Sequence, residues 1–352
     1  MAKAKYEKIA EKLKKDIESG RLHANSKLPK TTDLAKFFDV SYVTMSNAIQ
    51  LLSESGHITA IQGNGIFVNS PELSGLRKKD IFWLAPIAGD LYGRCFRAAQ
   101  DALYDTEYRL IPVDPEKFND IAMQNSSKAA KILAEYCKSP IIIEGTRHFP
   151  FSLLKKINPS GRGIYFMLHC ECMADEFPEA VKITPDFRHT GFIAAQKLHE
   201  SGAERFFILS YEDISDKEKK LAGNPPFTYE KLIQDGMNDY AQQNLLPSAE
   251  IFHTFNDYIA DFDRLKPLAA VNCGFMAIGD SRAYTLYRYA KVNNITIGQN
   301  WHVAGLGKTD WCSIMEPNLQ SISMCEIDIA RMLVSEIINN NFSKNITVKT
   351  HF

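Results

Sequence analysis

The chain has 352 residues, 45% apolar and 24% charged, with a formal net charge of −1; these values exclude a disordered or fibrous chain and leave room for a small domain beside a large one. The charge is unevenly spread, with 13 basic against 8 acidic side chains in residues 1–79 and 28 against 34 in residues 80–352. A weakly basic head on an acidic body suits a head that meets nucleic acid and a body that does not.

Lys5 to Ser19 carries apolar residues at Tyr6, Ile9, Ala10, Leu13 and Ile17, spacings of three and four that predict an amphipathic helix, with Gly20 as its cap. Leu28-Pro29 keeps the residue before the proline extended. Thr31 or Thr32 is then expected to cap a short helix, Asp33 to Phe38, that buries Leu34, Phe37 and Phe38. After the turn Asp39-Val40-Ser41, Ser41 caps a helix from Tyr42 to about Glu54, with Val43, Ala48, Ile49, Leu51 and Leu52 inward and Gly56 closing it. His57 to Ile61 and Ile66 to Asn69 read as strands joined by Gln62-Gly63-Asn64-Gly65, and Asn-Gly is a strong hairpin signal. This order of parts is a winged helix-turn-helix.

Such a fold places its second helix in a major groove. Tyr42, Thr44, Met45, Ser46, Asn47 and Gln50 are expected on the outer face, and Asn47 and Gln50 offer the donor and acceptor that an adenine edge takes. Lys30, Thr31 and Thr32 open the short helix, and Ser41 the long one, where backbone amides and hydroxyls meet phosphate. Gln62, Gly63, Asn64 and Gly65 form a wing tip that lets backbone approach the sugar-phosphate edge or the minor groove. The expected partner is double-stranded DNA with a pseudo-palindromic operator.

Residues 5 to 69 resemble the DNA-binding domain of the GntR family of bacterial transcription regulators. The matches are Tyr6 and Ile9, Ser19-Gly20-Arg21-Leu22, Leu28-Pro29, Leu34-Ala35, Val40-Ser41, Thr44, Ala48, Leu52, Gly56 and Gly63-x-Gly65-x-Phe67-Val68. Arginines usual in that family are missing at two places: Lys30-Thr31-Thr32 stands for Ser-Glu-Arg, and Ser41-Tyr42-Val43-Thr44-Met45-Ser46-Asn47-Ala48 for Ser-Arg-x-Thr-Val-Arg-Glu-Ala. Arginine there makes bidentate contacts to guanine or phosphate, so the departures leave affinity and operator sequence open.

Asn69 to Asp80 reads as a linker, giving domains at 1–69 and 80–352 with 70–79 between them. Beyond it, short apolar strands alternate with helices. The first set is Ile81 to Ala85, Phe96 to Tyr104, Tyr108 to Val113, Ser127 to Cys137, Ile141 to Ile143 and Gly163 to Leu168. The second is Arg205 to Ser210, Tyr229 to Gln243, Ala269 to Val271, Met276 to Lys291 and His302 to Leu306. The pattern predicts an α/β body of two lobes, each a doubly wound parallel sheet, with a cleft facing the strand carboxyl ends.

This part resembles the effector-binding domain of LacI/GalR regulators, which is itself like a periplasmic sugar-binding protein; the combination resembles the arabinose repressor class. Its anchors are Gly202 to Phe206, Gly236-Met237, Met276 to Gly279, Val303 to Gly307 and Leu319 to Ile322. The resemblance implies a homodimer contacting through Phe96 to Tyr104 and Asp280 to Lys291, where Tyr284, Leu286, Tyr287 and Tyr289 cluster. The final strand, Ile346 to Phe352, stops where that family continues a little. Three of its sugar-holding positions differ: Gly274 and Gly307 stand for aspartates, and an arginine is replaced near Lys231.

Candidate effector positions at strand ends are Asp90, Tyr92, Arg147, His148, His169, Glu171, Asp186, Arg188, Asn272, Lys308, Asp310 and Trp311. Polar groups beside aromatic platforms suit a small polar ligand. Arg147 and Lys308 lean toward an acidic sugar or a sugar phosphate. A dimerisation scaffold without ligand is the alternative.

His169-Cys170-Glu171-Cys172 has metal-ligand types, but alternation sends the cysteines away from His169 and Glu171, so no metal and no cofactor is expected. Gly307-Lys308-Thr309 lacks the glycine that a phosphate loop needs five places earlier, where His302 stands, and no nucleophile elbow is present, so an enzyme is not expected. The seven cysteines are scattered without a Cys-x-x-Cys pair, which points to reduced thiols. No leader-like or membrane-length apolar run occurs, so the expected compartment is a bacterial cytoplasm and no membrane is a partner. The reading is a transcription regulator, a repressor of a carbohydrate-use operon.

Overall fold

The computed structural model describes residues 4–19, 21–23, 26–61, 65–69, 79–144, 149–169, 176–211, 229–254 and 259–352. The chain falls into two compact units, residues 1–79 with 105–109, and residues 80–104 with 110–352. Most of the predicted linker lies outside the described residues, as does the Gly20 cap.

The head holds helices Lys5–Glu18 (α1), Thr31–Phe37 (α2) and Tyr42–Glu54 (α3), then strands Ile58–Ile61 (β1) and Gly65–Val68 (β2). The two strands are antiparallel, and β2 also exchanges hydrogen bonds with the segment before α2: Leu28 N–H donates to Ile66 C=O at 2.8 Å and Val68 N–H to Ser26 C=O at 2.8 Å. Ile9, Leu13, Ile17, Leu34, Met45, Ala48, Leu52, Ile58 and Val68 form one core.

Three expectations need correction here. The inner face of α3 is Met45, Ala48, Ile49 and Leu52, at i, i+3, i+4 and i+7, so Met45 is fully buried and Val43 is 67% exposed. Residues two apart cannot share a helix face, and the longer run wins. Phe37 is not core but 79% exposed, because α2 turns Leu34 and Ala35 inward. Neither threonine caps α2, which starts at Thr31 after Lys30 and has no side-chain cap. The Ser41 cap is present, its Oγ accepting from Thr44 N–H at 3.2 Å.

His57 joins α3 to β1. It is buried, its Nδ1 lies 2.8 Å from Ser55 Oγ, and its pKa is lowered by burial and then by Lys14, with the Glu18 carboxylate opposing. The folded pKa lies below the unfolded one, so the stabilisation is full above pH 6.5 and is lost as pH falls through the folded value. The head is therefore expected to melt at lower temperature at pH 5 than at pH 7, and His57→Gln should flatten that dependence; an unchanged slope on thermal scans would contradict the assignment.

The body has two sheets. The first has strand order Lys344–Val348 (β13), Val181–Pro185 (β7), Ile164–Met167 (β6), Ile141–Glu144 (β5), Lys79–Leu84 (β3), Tyr108–Pro112 (β4), with each neighbouring pair from β13 to β3 parallel. The second has order Gln320–Ile322 (β12), Trp301–Leu306 (β11), Cys273–Ala277 (β10), Arg205–Tyr211 (β8), Glu250–Thr254 (β9), parallel throughout. Helices Asp90–Ala102 (α4), Pro115–Gln124 (α5), Ser126–Tyr136 (α6) and Phe151–Ile157 (α7) belong to the first lobe, and Glu326–Ile338 (α12) packs there on α4. Phe187–Glu200 (α8), Tyr229–Gln243 (α9), Asp280–Val292 (α10) and the short Trp311–Ile314 (α11) belong to the second. Each sheet has its own apolar core, one around Ile141, Ile143, Phe151 and Phe166, the other around Leu209, Phe275, Leu286 and Trp301.

Three strands of chain cross between the lobes, at β7 to α8, at β12 to α12, and beyond β13. They are tied to one another: Asp186 N–H donates to Val348 C=O at 2.8 Å, Ser323 N–H to His351 C=O at 2.8 Å, and the Thr190 and Thr350 hydroxyls lie 2.9 Å apart. This is a hinge of paired segments.

The predicted strand Ala269 to Val271 is a turn; β10 follows it and takes in Met276 and Ala277, which had read as the start of the next helix. Leu286 and Tyr289 face the lobe's own core, and the Tyr289 hydroxyl donates to Asp263 at 3.1 Å; only Tyr284 and Tyr287 of the four remain half-buried. Among the described residues no helix is long and apolar enough to cross a membrane.

Candidate functional site

On the head, Val43, Asn47 and Gln50 follow one another at spacings of four and three, all exposed, and form the outer stripe of α3. Tyr42 is exposed beside them, and Thr44 and Ser46 are half-buried at the stripe's edge. Gln50 Nε2 donates to Glu54 at 2.8 Å, and the Ser41 and Thr44 hydroxyls lie 2.9 Å apart. Lys30 and Thr32 are exposed and Thr31 half-buried where α2 begins. Lys5, Thr32, Lys36, Tyr42 and Thr44 line a groove of about 770 Å³ between the helices. Gly65 sits at φ 110°, a backbone conformation that residues with a side chain rarely adopt, so the wing's exit needs glycine.

In the body, a cluster forms at the carboxyl ends of the first sheet. Glu144, the last residue of β5, is 2% exposed. Its Oε1 accepts from the Tyr92 hydroxyl at 3.2 Å and meets His169 Nδ1. The His169 ring stacks on Phe187 at 5.7 Å and lies 4.7 Å from Tyr229, whose ring is 5.3 Å from Phe187. Phe187 opens α8 and Tyr229 opens α9, so both lobes contribute. Burial and the Glu144 carboxylate hold the Tyr92 phenol well above its ordinary pKa, so it stays a donor. In the second lobe, the Ser210 hydroxyl donates to the buried Glu230.

A second group binds the first turns of α4 to the loop after β11. Asp90 accepts from Asp310 N–H at 2.6 Å. Arg94 donates through Nε to Glu326 at 2.9 Å, through Nη2 to Gly307 C=O at 2.9 Å and through Nη1 to Lys308 C=O at 3.2 Å. Lys308, at φ 47°, donates its N–H to Ser321 Oγ at 2.9 Å, and buried Asp280 accepts from Thr309 N–H at 2.7 Å and from Ser321 Oγ at 2.6 Å. The Trp311 ring lies 4.8 Å from Tyr284 and is 39% exposed. Glu326 is buried, so removing its cation leaves a costly charge. Arg94→Met is expected to lower body stability by about 2–3 kcal/mol in urea titrations, short of the full buried-pair cost because Arg94 keeps some contact with water. A loss under about 0.5 kcal/mol would mean the latch is not formed in solution.

Residues 5–68 match the model for bacterial regulatory proteins of the gntR family. The head carries a gntR-type helix-turn-helix domain. Among curated relatives, the chain is 26% identical over 157 residues to the HTH-type transcriptional repressor NagR of Bacillus subtilis, an alignment spanning 44% of this chain and 61% of NagR, so the chain covers about three fifths of that relative. It is 20% identical over 186 residues to the histidine utilization repressor of Klebsiella aerogenes, spanning 49% of this chain and 76% of the relative. Among solved structures, a LacI family transcriptional regulator from Enterococcus faecium with bound ribose aligns with TM-score 0.60 and 16% identity, over 78% of this chain and 96% of that one. The transcriptional regulator CelR in complex with cellobiose aligns with TM-score 0.60 and 12% identity, over 92% and 98%. The body thus has the fold of LacI-type, periplasmic-binding-protein-like regulators behind a gntR head.

Against this frame of a gntR head and a LacI-type body, the sequence-based candidates divide. Gln62, Gly63 and Asn64 of the wing lie outside the described residues, as do Arg147, His148 and Glu171. Asp90, Tyr92, His169, Lys308, Asp310 and Trp311 all lie beyond strand carboxyl ends, Tyr92 and His169 meeting at Glu144 and Asp90 and Asp310 meeting each other. Asp186 is a helix cap, accepting from His189 N–H at 2.8 Å. Arg188 is engaged by Asp239 at 2.6 and 2.9 Å on the outside of α8 and α9. Asn272 precedes β10 and so stands at the wrong end of the sheet, its C=O accepting from Glu204 and Arg205 N–H. Sequence reasoning missed Val43, Glu144 and Tyr229. A charged residue ending the run Ile141-Ile142-Ile143 was the available sign of Glu144.

Proposed function

We propose that the protein is a cytoplasmic transcription repressor that binds a pseudo-palindromic operator as a homodimer and is controlled by a small polar effector held between the two lobes of its body. The observation that carries the reading is a gntR head joined to a body whose cleft-side cluster draws side chains from both lobes. In this reading α3 presents Val43, Asn47 and Gln50 to the major groove, and Lys30, Thr31 and Thr32 meet phosphate. Ligand contacts made only when the lobes close would favour that state and so change operator affinity; without differential affinity there is no regulation. The sugar-bound state of similar folds supports a carbohydrate effector and a carbohydrate-use operon. Half-exposed Tyr284 and Tyr287 on α10 are the proposed distal part of a two-fold contact.

The test is to select duplexes from a random pool with the intact chain and to sediment the complex. The reading expects two inverted half-sites at a fixed spacing and a mass of two chains. Selection without enrichment, or a monomer at micromolar concentration, would contradict it.

A further inference from the structure

We propose that Glu144 sets the chemical class of the effector: a ligand presenting hydrogen-bond donors, hydroxyl or ammonium, and no anionic group. The inference rests on the reading of the cleft as the effector site, and it reverses the lean toward a sugar acid or sugar phosphate that Arg147 and Lys308 gave.

Glu144 ends β5, the position from which a doubly wound sheet presents ligand-binding groups. Oε1 has two partners, Tyr92 and His169, whereas the buried Oε2 has none among the described residues. A buried acceptor without a donor is costly, more so when it carries charge, and natural proteins keep such groups where something else satisfies them. The described side chains on its sister oxygen Oε1 are the rings Tyr92 and His169, and across the lobe boundary Phe187 and Tyr229 pack on His169. Rings can take the apolar face of a ligand, but the acceptor needs its donors.

The charges near the cluster favour the same class. Asp90 shares the first turn of α4 with Tyr92, and Glu230 follows Tyr229 on α9. Arg94, on the next turn of α4, already has its guanidinium on Glu326 and on the carbonyls of Gly307 and Lys308. An incoming phosphate or carboxylate would face the Glu144 carboxylate, with like-charge repulsion, while the Tyr92 hydroxyl and His169 are already turned to Oε1. A neutral polyhydroxylated ligand or an amine would fill Oε2 and bridge toward Tyr229, touching both lobes.

The experiment measures thermal shift and calorimetric binding on the intact chain with four panels: neutral pentoses and hexoses, the corresponding amino sugars, sugar acids and sugar phosphates. A member of the first two panels is expected to bind, and the last two to give no shift. Glu144→Gln should weaken a neutral ligand roughly tenfold and an ammonium ligand a hundredfold or more, which separates the two donor sources. The ligand-free variant keeps an oxygen for the Tyr92 hydroxyl and loses the charge that meets His169, so it should still fold and melt cooperatively. A lower melting temperature of the free variant, with affinity kept within twofold, would show a purely structural Glu144 and overturn the proposal. Binding of an acid or a phosphate would also overturn it while leaving the cleft reading intact. No shift with any panel would defeat both.

Discussion

Replacing Gly236 by alanine is expected to cost the body at least about 3 kcal/mol, lowering its calorimetric melting temperature by about 6–12 °C. Helices α8 and α9 cross backbone against backbone. A Cβ at Gly236 would stand 1.8 Å from Arg188 C=O and 2.9 Å from Phe192 N, and one at Gly191 would stand 1.9 Å from Ile233 C=O. Neither obstacle is a flexible side-chain tip, so the helices must part, opening space around buried Ile233 and Met237. Gly191→Ala should cost a similar amount, and the double variant should cost less than the sum because the first change already separates the pair. A loss under about 1 kcal/mol would show that the helices do not approach this closely.

The second large effect concerns DNA. Asn47→Ala is expected to cost on the order of 1–3 kcal/mol on the selected operator and less on random duplex, as the loss of an amide proposed to read a base edge would. Equal losses on both would remove the base-reading role. Val43, 67% exposed at the head of the same stripe, suits the thymine methyl group, which is an apolar mark in the major groove. Uracil in place of thymine at the matching positions should therefore weaken the wild type and leave Val43→Ala unaffected, as measured by fluorescence anisotropy.

The winged helix was legible because its signals are local: a serine cap, a proline-bounded entry, glycine-bounded strands and threefold-fourfold spacing. The exposure of Phe37 and the missing side-chain cap of α2 escaped, as did the rotation of α3, because Val43 and Met45 compete for one face and the sequence near them does not say which joins Ala48 and Ile49. The body's alternation was legible as two sets, but several elements were not. Strand β7 hides because Lys182 and Thr184 are buried in it beside the hinge. Strand β10 hides because Gly274 interrupts it, a glycine kept since a Cβ would stand 2.9 Å from Leu198 Cβ. Misplacing β10 by a few residues carried Asn272 to the wrong end of the sheet. Arg188 looked like a ligand residue because its partner Asp239 lies on another helix, a pairing that sequence spacing does not reveal.

The central claim is coupling between the cleft and the operator. It is tested most directly by titrating the selected operator with the intact chain, in the absence of effector and in the presence of the saturating compound found by thermal shift. The account predicts that operator affinity falls by about 5–150-fold and, by linkage, that operator weakens effector binding by the same factor. A compound that binds the body yet leaves operator affinity unchanged would contradict it.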